Sequence, residues 1–310
     1  IRDRHYSDRE AIVSIHQQVR LTYWQLAERV DILAKAFIQA DFKKGDRIGI
    51  WSPNNVEWLI TQYATAKAGL ILVTINPAYR SHELAYVLKQ SGCKGLVLQN
   101  QFKSSNYEQM LCELCPELRK VSPGKLVSKE FELLTTIIST TESPISGIYS
   151  WDEFNHLGNE SSDQLLVSRL EDQDMDDPIN IQYTSGTTGF PKGATLSHHN
   201  ILNNVYFVAE TMNFDESDRL VVPVPLYHCF GMVMANLGCL THGACAIYPS
   251  EAFEPEAVLN AVQKEKATAL YGVPTMFIAE LALPNFSEYD LKTLRTGIMA
   301  GAPCPVDTMN

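Results

Sequence analysis

Residues 70–75, Leu-Ile-Leu-Val-Thr-Ile, most narrow what this chain can fold into. They read as an apolar run bounded by Gly69 and by Asn76-Pro77, the pattern of a strand covered on both faces, and such strands belong to parallel sheets flanked by helices. The flanking sequence supplies those helices. Thr22 with Gln25 makes a capping-box signature, after which Leu26, Val30, Leu33 and Phe37 recur on one helical face. Gly45 precedes a short strand over 48–51. Asn54 with Glu57 repeats the capping signature, and Val56, Leu59, Ile60, Tyr63 and Lys67 carry a helix to Gly69. Ser81 opens a further helix that closes near Gly92, ahead of a strand over 95–98. Repeated strand–helix–strand order predicts parallel pairing through right-handed crossovers.

Residues 100–178 are less regular, with Ser/Thr clusters and prolines at 116, 123 and 144. They end in Glu171, Asp172, Asp174, Asp176 and Asp177, which read as a solvated linker, because no glycine sits where a calcium loop needs its sharp turn. Alternation then resumes. Strands are expected over 179–183, 220–224, 244–248, 268–271 and 294–299, and helices over 197–212, 231–240, 254–266 and 274–283. Ile201, Val205, Val208 and Met212 should face inward on the first of these helices. The expected fold is layered α/β, with approximate subregions 1–177 and 178–310.

The charge balance excludes some functions. Lys plus Arg is 25 and Asp plus Glu 36, a net charge of −11, which argues against nucleic acid or an anionic membrane as the main partner. No apolar run reaches the length of a membrane span. Seven cysteines in 310 residues are too sparse and odd a set for a disulfide framework and point to a reducing intracellular setting. The start at Ile1 and the stop just past a Gly/Pro cluster lead us to expect a fragment of a longer protein.

Residues 183–193 carry the chemistry: Tyr-Thr-Ser-Gly-Thr-Thr-Gly-Phe-Pro-Lys-Gly. A strand is expected to lead into this loop and a helix to follow. Glycines let backbone N–H groups close on phosphate oxygens, Thr184, Ser185, Thr187 and Thr188 add hydroxyl donors, and Lys192 adds a point charge. The pattern suits a polyphosphate. It is not a Walker A loop, because Gly193 rather than Ser or Thr follows the lysine. Nine specified positions at about 6% usage each would arise by chance on the order of 10⁻¹¹ times per start site, so an ordinary turn is a poor account.

This string resembles the phosphate-loop signature of the adenylate-forming superfamily, which includes acyl-CoA synthetases, peptide-synthetase adenylation domains and luciferases. Leu21-Thr22-Tyr23 with Leu26, then Ala68-Gly69 through Asn76-Pro77, resemble its early motifs. Pro225-Leu226-Tyr227-His228 resembles the Pro-Leu-aromatic-His motif of acyl-CoA synthetases, while Tyr271-Gly272-Val273-Pro274-Thr275 and Ala300-Gly301-Ala302-Pro303 match later landmarks. The resemblance covers essentially the whole chain and leans towards medium-chain fatty acid ligases of mitochondria. It implies a layered αβαβα N-terminal domain, cut before its barrel subdomain and C-terminal domain.

By that resemblance Thr184, Ser185, Gly186, Thr187, Thr188, Gly189, Phe190, Pro191 and Lys192 would hold the ATP phosphates, and Gly301, Ala302 and Pro303 would line the adenine. Tyr227, His228 and Phe230 would stand by the acyl carboxylate and the thioesterification site, and Val273, Pro274 and Thr275 would wall the acyl and CoA tunnel. Lys192 and His228 are the candidate catalytic groups, and no protein metal ligand is expected, although magnesium would accompany the phosphates. The implied partners are a fatty acid, ATP and coenzyme A. The family's C-terminal catalytic lysine has no candidate here, so the 310 residues alone are expected not to make a thioester. A non-catalytic acyl- or nucleotide-binding relative and an aryl or amino acid ligase remain alternatives. A kinase or other NTPase would need lysine motifs that are missing.

Three signals rank lower. Phe214-Asp215-Glu216-Ser217 has the form of an amine-binding motif but lies before the 220–224 strand, in a turn with Asp218. Cys112 and Cys115 have metal spacing without a second pair. His198-His199 falls in a helix's first turn, a surface or capping position.

Overall fold

The computed structural model describes residues 5–184 and 191–309. Its strands are β1 (Glu10–Ser14), β2 (Val19–Thr22), β3 (Arg47–Trp51), β4 (Ile71–Ile75), β5 (Cys93–Leu98), β6 (Gln101–Phe102), β7 (Ser105–Asn106), β8 (Thr136–Ser139), β9 (Tyr149–Ser150), β10 (Pro178–Thr184), β11 (Lys192–Ser197), β12 (Arg219–Val221), β13 (Cys245–Tyr248), β14 (Ala269–Gly272) and β15 (Thr296–Met299). Backbone contacts divide the chain into two units. Unit 1 holds the chain up to Ala27, Asn54–Val56, and everything from Ile201 onward, and unit 2 holds Glu28–Pro53 and Glu57–Asn200.

Unit 2 is built on a seven-stranded sheet in the order β11-β10-β4-β3-β5-β8-β9. As the apolar run requires, β4 is interior: all five of its residues are buried, and it pairs in parallel with β3 and β10. On one face Val73 and Ile75 of β4 join Trp51, Leu96, Leu98 and Ile137, covered by Leu84, Val87 and Leu88 of helix Ser81–Ser91 and by Tyr107 and Leu111 of helix Tyr107–Leu114. That first helix ends as expected at Gly92, whose φ of 64° is the left-handed turn a glycine takes without strain. Residues 100–178 are more regular than expected. They contain β8, β9 and helices Tyr107–Leu114, Trp151–Asn159 and Asp163–Glu171, because polar residues in this stretch, Asn106, Ser150 and Ser162, serve as helix caps.

Unit 1 carries a six-stranded sheet in the order β15-β14-β12-β13-β1-β2. Its pairs are parallel except for the β1–β2 hairpin, which the sequence reading did not anticipate. Helix Pro255–Glu265 packs Val258, Ala261 and Val262 against Val13, Val221, Ile247 and Leu270. Thr22 and Gln25 do form their box: the Thr22 N–H donates to Gln25 Oε1 at 2.9 Å and the Gln25 N–H to Thr22 Oγ1 at 3.2 Å. The apolar helix expected over 231–240 starts at Phe230 as a π-helix to Leu237 and continues through Gly238–His242. Among the described residues no helix is long and apolar enough to cross a membrane.

Candidate functional site

The strands that flank the glycine- and hydroxyl-rich string stand at one edge of the unit 2 sheet. Ser185, Gly186, Thr187, Thr188, Gly189 and Phe190 lie outside the described residues, but both flanks are clear. β10 runs to Thr184, and the chain returns as β11 from Lys192, antiparallel and with Thr184 opposite Lys192. The string therefore lies between two antiparallel strands, and helix His198–Thr211 begins only after β11. Lys192 is thus the first residue of a strand, which corrects the strand–loop–helix expectation. Gly193-Ala194-Thr195 is too small and polar to signal a strand by alternation, and backbone pairing with β10 makes it one. The Lys192 side chain remains exposed. Tyr86 Oη donates to the Pro191 carbonyl at 3.1 Å, tying the start of the returning strand to helix Ser81–Ser91.

In unit 1 the other motifs converge. β12, β14 and β15 are parallel, and β14 pairs with both of the others, so the segments leaving them emerge at the same edge of the sheet. Those segments are residues 225–228 after β12, 273–275 after β14 and 300–303 after β15. The carboxyl edge of such a sheet is where α/β folds bind ligands. Ring contacts back this edge, and one close approach joins two of the segments. The Phe230 ring stacks on Tyr271 with centroids 5.5 Å apart, and Phe214 stacks on the same tyrosine at 6.5 Å. Gly301 has φ of 88°, and a Cβ there would stand 3.2 Å from Val273 Cγ1. Pro274 is buried at the start of helix Pro274–Leu281, whereas Thr275, Ala302 and Pro303 are exposed. Phe230 is buried, so it backs the site as filling, while Tyr227 is half-buried and His228 exposed at the head of the turn.

The turn has a defined electrostatic state. The Phe230 N–H donates to His228 Nδ1 at 3.2 Å, which requires an unprotonated Nδ1 and leaves Nε2 to carry the ring proton. Partial desolvation pulls His228 below the usual imidazole range, so the neutral ring prevails near pH 7. Gly231 lets the following helix close on the turn, since a Cβ there would lie 2.5 Å from the Pro225 carbonyl oxygen.

The sequence model of the AMP-binding enzyme family matches residues 2–310. The chain belongs to this family. It is 46% identical over 304 residues to YngI of Bacillus subtilis (strain 168), whose name provisionally assigns it to the acyl-CoA synthetases, covering 98% of this chain and 55% of that protein. It is 45% identical over 306 residues to the mitochondrial medium-chain acyl-CoA ligase ACSF2 of Mus musculus, covering 97% of this chain and 49% of the ligase. The chain thus spans about half the length of these relatives. Among solved structures, the anthranilate CoA ligase AuaEII in complex with anthranoyl-AMP superposes with a TM-score of 0.82 at 23% identity, over 99% of this chain and 55% of that one, a likeness of fold. The mixed α/β architecture is that of the N-terminal domain of adenylate-forming enzymes.

Against this family background the lesser signals resolve. The 214–217 string is a turn in which Asp215 Oδ1 accepts the Ser217 N–H at 2.7 Å, and Asp218 Oδ2 accepts the Asp215 N–H at 2.9 Å. Cys112 and Cys115 are buried, and burial pushes the Cys115 thiol up to about 11. His199 Nδ1 lies 3.2 Å from Asp176, and Asp177 pairs with Lys44 at 2.7 Å. Among the described residues no group of three or more His, Cys, Asp or Glu could hold a metal ion. The described site residues include no carboxylate to ligate magnesium. Asn54 is the residue that sequence reasoning misplaced. Its side chain, expected to cap the helix starting at Val56, meets the 224–226 backbone instead.

Proposed function

We propose that the protein carrying this chain activates a fatty acid with ATP and passes the acyl group to coenzyme A. One carboxylate oxygen attacks the α-phosphorus, forming the acyl–phosphate bond as the bond to the β-phosphate breaks and pyrophosphate leaves. The thiolate of coenzyme A then attacks the acyl carbon, and AMP leaves with the bonding electrons. The hydroxyl- and glycine-rich string and Lys192 would offset charge on the departing pyrophosphate, while Gly301, Ala302 and Pro303 would bear on the adenine. Tyr227 and His228 would stand at the acyl carboxylate, and Val273, Pro274 and Thr275 would wall the acyl and thiol path.

The observation that carries this reading is the shared carboxyl edge of β12, β14 and β15, with three family motifs leaving it together. A fatty acid suits the edge better than an amino acid. Residues 225–228 contain no acid, and a buried ammonium without a carboxylate partner costs several kcal/mol. Likeness to ACSF2 favours acids of medium length and a mitochondrial location. Pyrophosphate release by the full-length protein, across a panel of carboxylic and amino acids with and without coenzyme A, tests the proposal. Acids of about six to twelve carbons, the range the resemblance suggests, should turn over best and yield acyl-CoA. Stronger exchange with free amino acids would overturn it.

A further inference from the structure

The turn that presents Tyr227 and His228 lies past the end of β12, beyond the reach of its sheet. The last bond there joins the Val222 N–H to the Ile247 carbonyl at 2.9 Å, after which the chain runs on through Val224 and Leu226, both fully buried. Buried backbone groups need partners. Two of them are met by one side chain about 170 positions away: Asn54 Nδ2 donates to the Val224 carbonyl at 3.0 Å, and Asn54 Oδ1 accepts the Leu226 N–H at 2.9 Å. An amide pairing with a C=O and an N–H of one segment does what a neighbouring strand would do. Asn54 is itself buried, 3% exposed, and its own N–H donates to the Glu251 carbonyl at 3.2 Å, so the amide is held from behind.

We infer that Asn54 is a positioning residue for the proposed acyl-binding turn, its amide substituting for a strand across residues 224–226 and thereby fixing Tyr227 and His228. Gly231 closes on the same turn at the Pro225 carbonyl, and the Phe230 N–H fixes the His228 tautomer, so the turn is held at successive points from 224 to 231. The kinetic consequence rests on the function proposed above; the positioning itself does not.

The test uses the full-length protein with Asn54→Asp, which keeps the acceptor for Leu226 and loses the donor to Val224, and Asn54→Leu, which loses both. Val258→Ala, a core change in the same unit, serves as a control of comparable destabilisation. In the asparagine variants kcat/KM for the carboxylic acid should fall about 10- to 100-fold, as expected for a shift of about 1 Å in a presented group, while KM for ATP stays within about twofold. Nitrogen-15 histidine spectra should show His228 moving from the Nε2–H tautomer towards a mixture, and the control should change neither readout. Lower melting temperatures with unaltered His228 signals and unaltered acid-dependent kcat/KM would overturn the inference. If the wild type released no pyrophosphate with any acid, the proposed function would fail, and the His228 spectra alone would still decide whether Asn54 positions the turn.

Discussion

Lys192 concentrates the residue-scale chemistry of the proposed phosphate site. Its backbone pairs with Thr184, and its side chain is exposed, so the strand does not depend on the ammonium group. Lys192→Ala in the full-length protein should therefore leave the melting temperature nearly unchanged and slow pyrophosphate release about 10²- to 10³-fold, the usual effect of losing one positioned group that stabilises developing charge. Unchanged release would remove Lys192 from the phosphate site. Such a string stands out in a sequence because a phosphate loop is local: its glycines, hydroxyls and lysine act together through adjacency. Asn54 was not legible as a strap. Its Asn-x-x-Glu spacing suggests a cap, and its partners at 224 and 226 are separated from it by more of the chain than any spacing rule spans.

At the scale of elements, helices with strong apolar periodicity were located to within a residue or two, as at Val56–Lys67 and Pro255–Glu265. Shorter elements escaped, notably β1, β11 and the helices between 107 and 171. Ser150 shows why the last region misleads. Its hydroxyl accepts the Glu153 N–H at 3.2 Å, and Glu153 Oε2 accepts the Ser150 N–H at 2.9 Å, a capping box embedded in what reads as a polar linker. The box satisfies two N–H groups at the end of helix Trp151–Asn159, and Ser150 is buried. Ser150→Ala should destabilise the fold by about 1 kcal/mol, seen as a lower midpoint in denaturant. Because the helix belongs to unit 2 and the proposed acyl-binding motifs belong to unit 1, kcat/KM for the acid should not change.

For the molecule as a whole, partly and fully buried carboxyls set opposing pH dependences. Burial acts to raise Glu10 and Glu265, but bonds from Arg20 and Arg219, including Arg219 to Glu10 at 2.8 Å and to Glu265 at 2.9 Å, outweigh it and hold both below the ordinary value of 4.5. Their stabilisation is present above that value and lost as pH falls through their lower folded values. Glu280 acts in the other direction. It is 3% exposed on helix Pro274–Leu281, and burial raises it from 4.5 to about 8. The folded state then holds a proton that the unfolded chain releases, so stability falls as pH rises from about 4.5 to about 8. Glu280→Gln should melt several degrees higher than the wild type at about pH 8, with the difference shrinking towards pH 5 as the wild-type carboxyl protonates. Equal melting temperatures at both pH values would show that Glu280 does not titrate in this way.

The sequence by itself determined the parallel α/β class, the buried β4 strand and the order of family motifs, because each is written in neighbouring residues whose spacing matches a helix turn, a pleat or a phosphate. Tertiary structure decided which of three sheets each strand joins and that β11 returns antiparallel to β10 after the glycine- and hydroxyl-rich string. It also brought residues 225–228, 273–275 and 300–303 to one sheet edge, and set a distant asparagine across the 224–226 backbone. Such pairings satisfy backbone groups between segments far apart in the chain, and local spacing carries no record of which distant group will supply the partner.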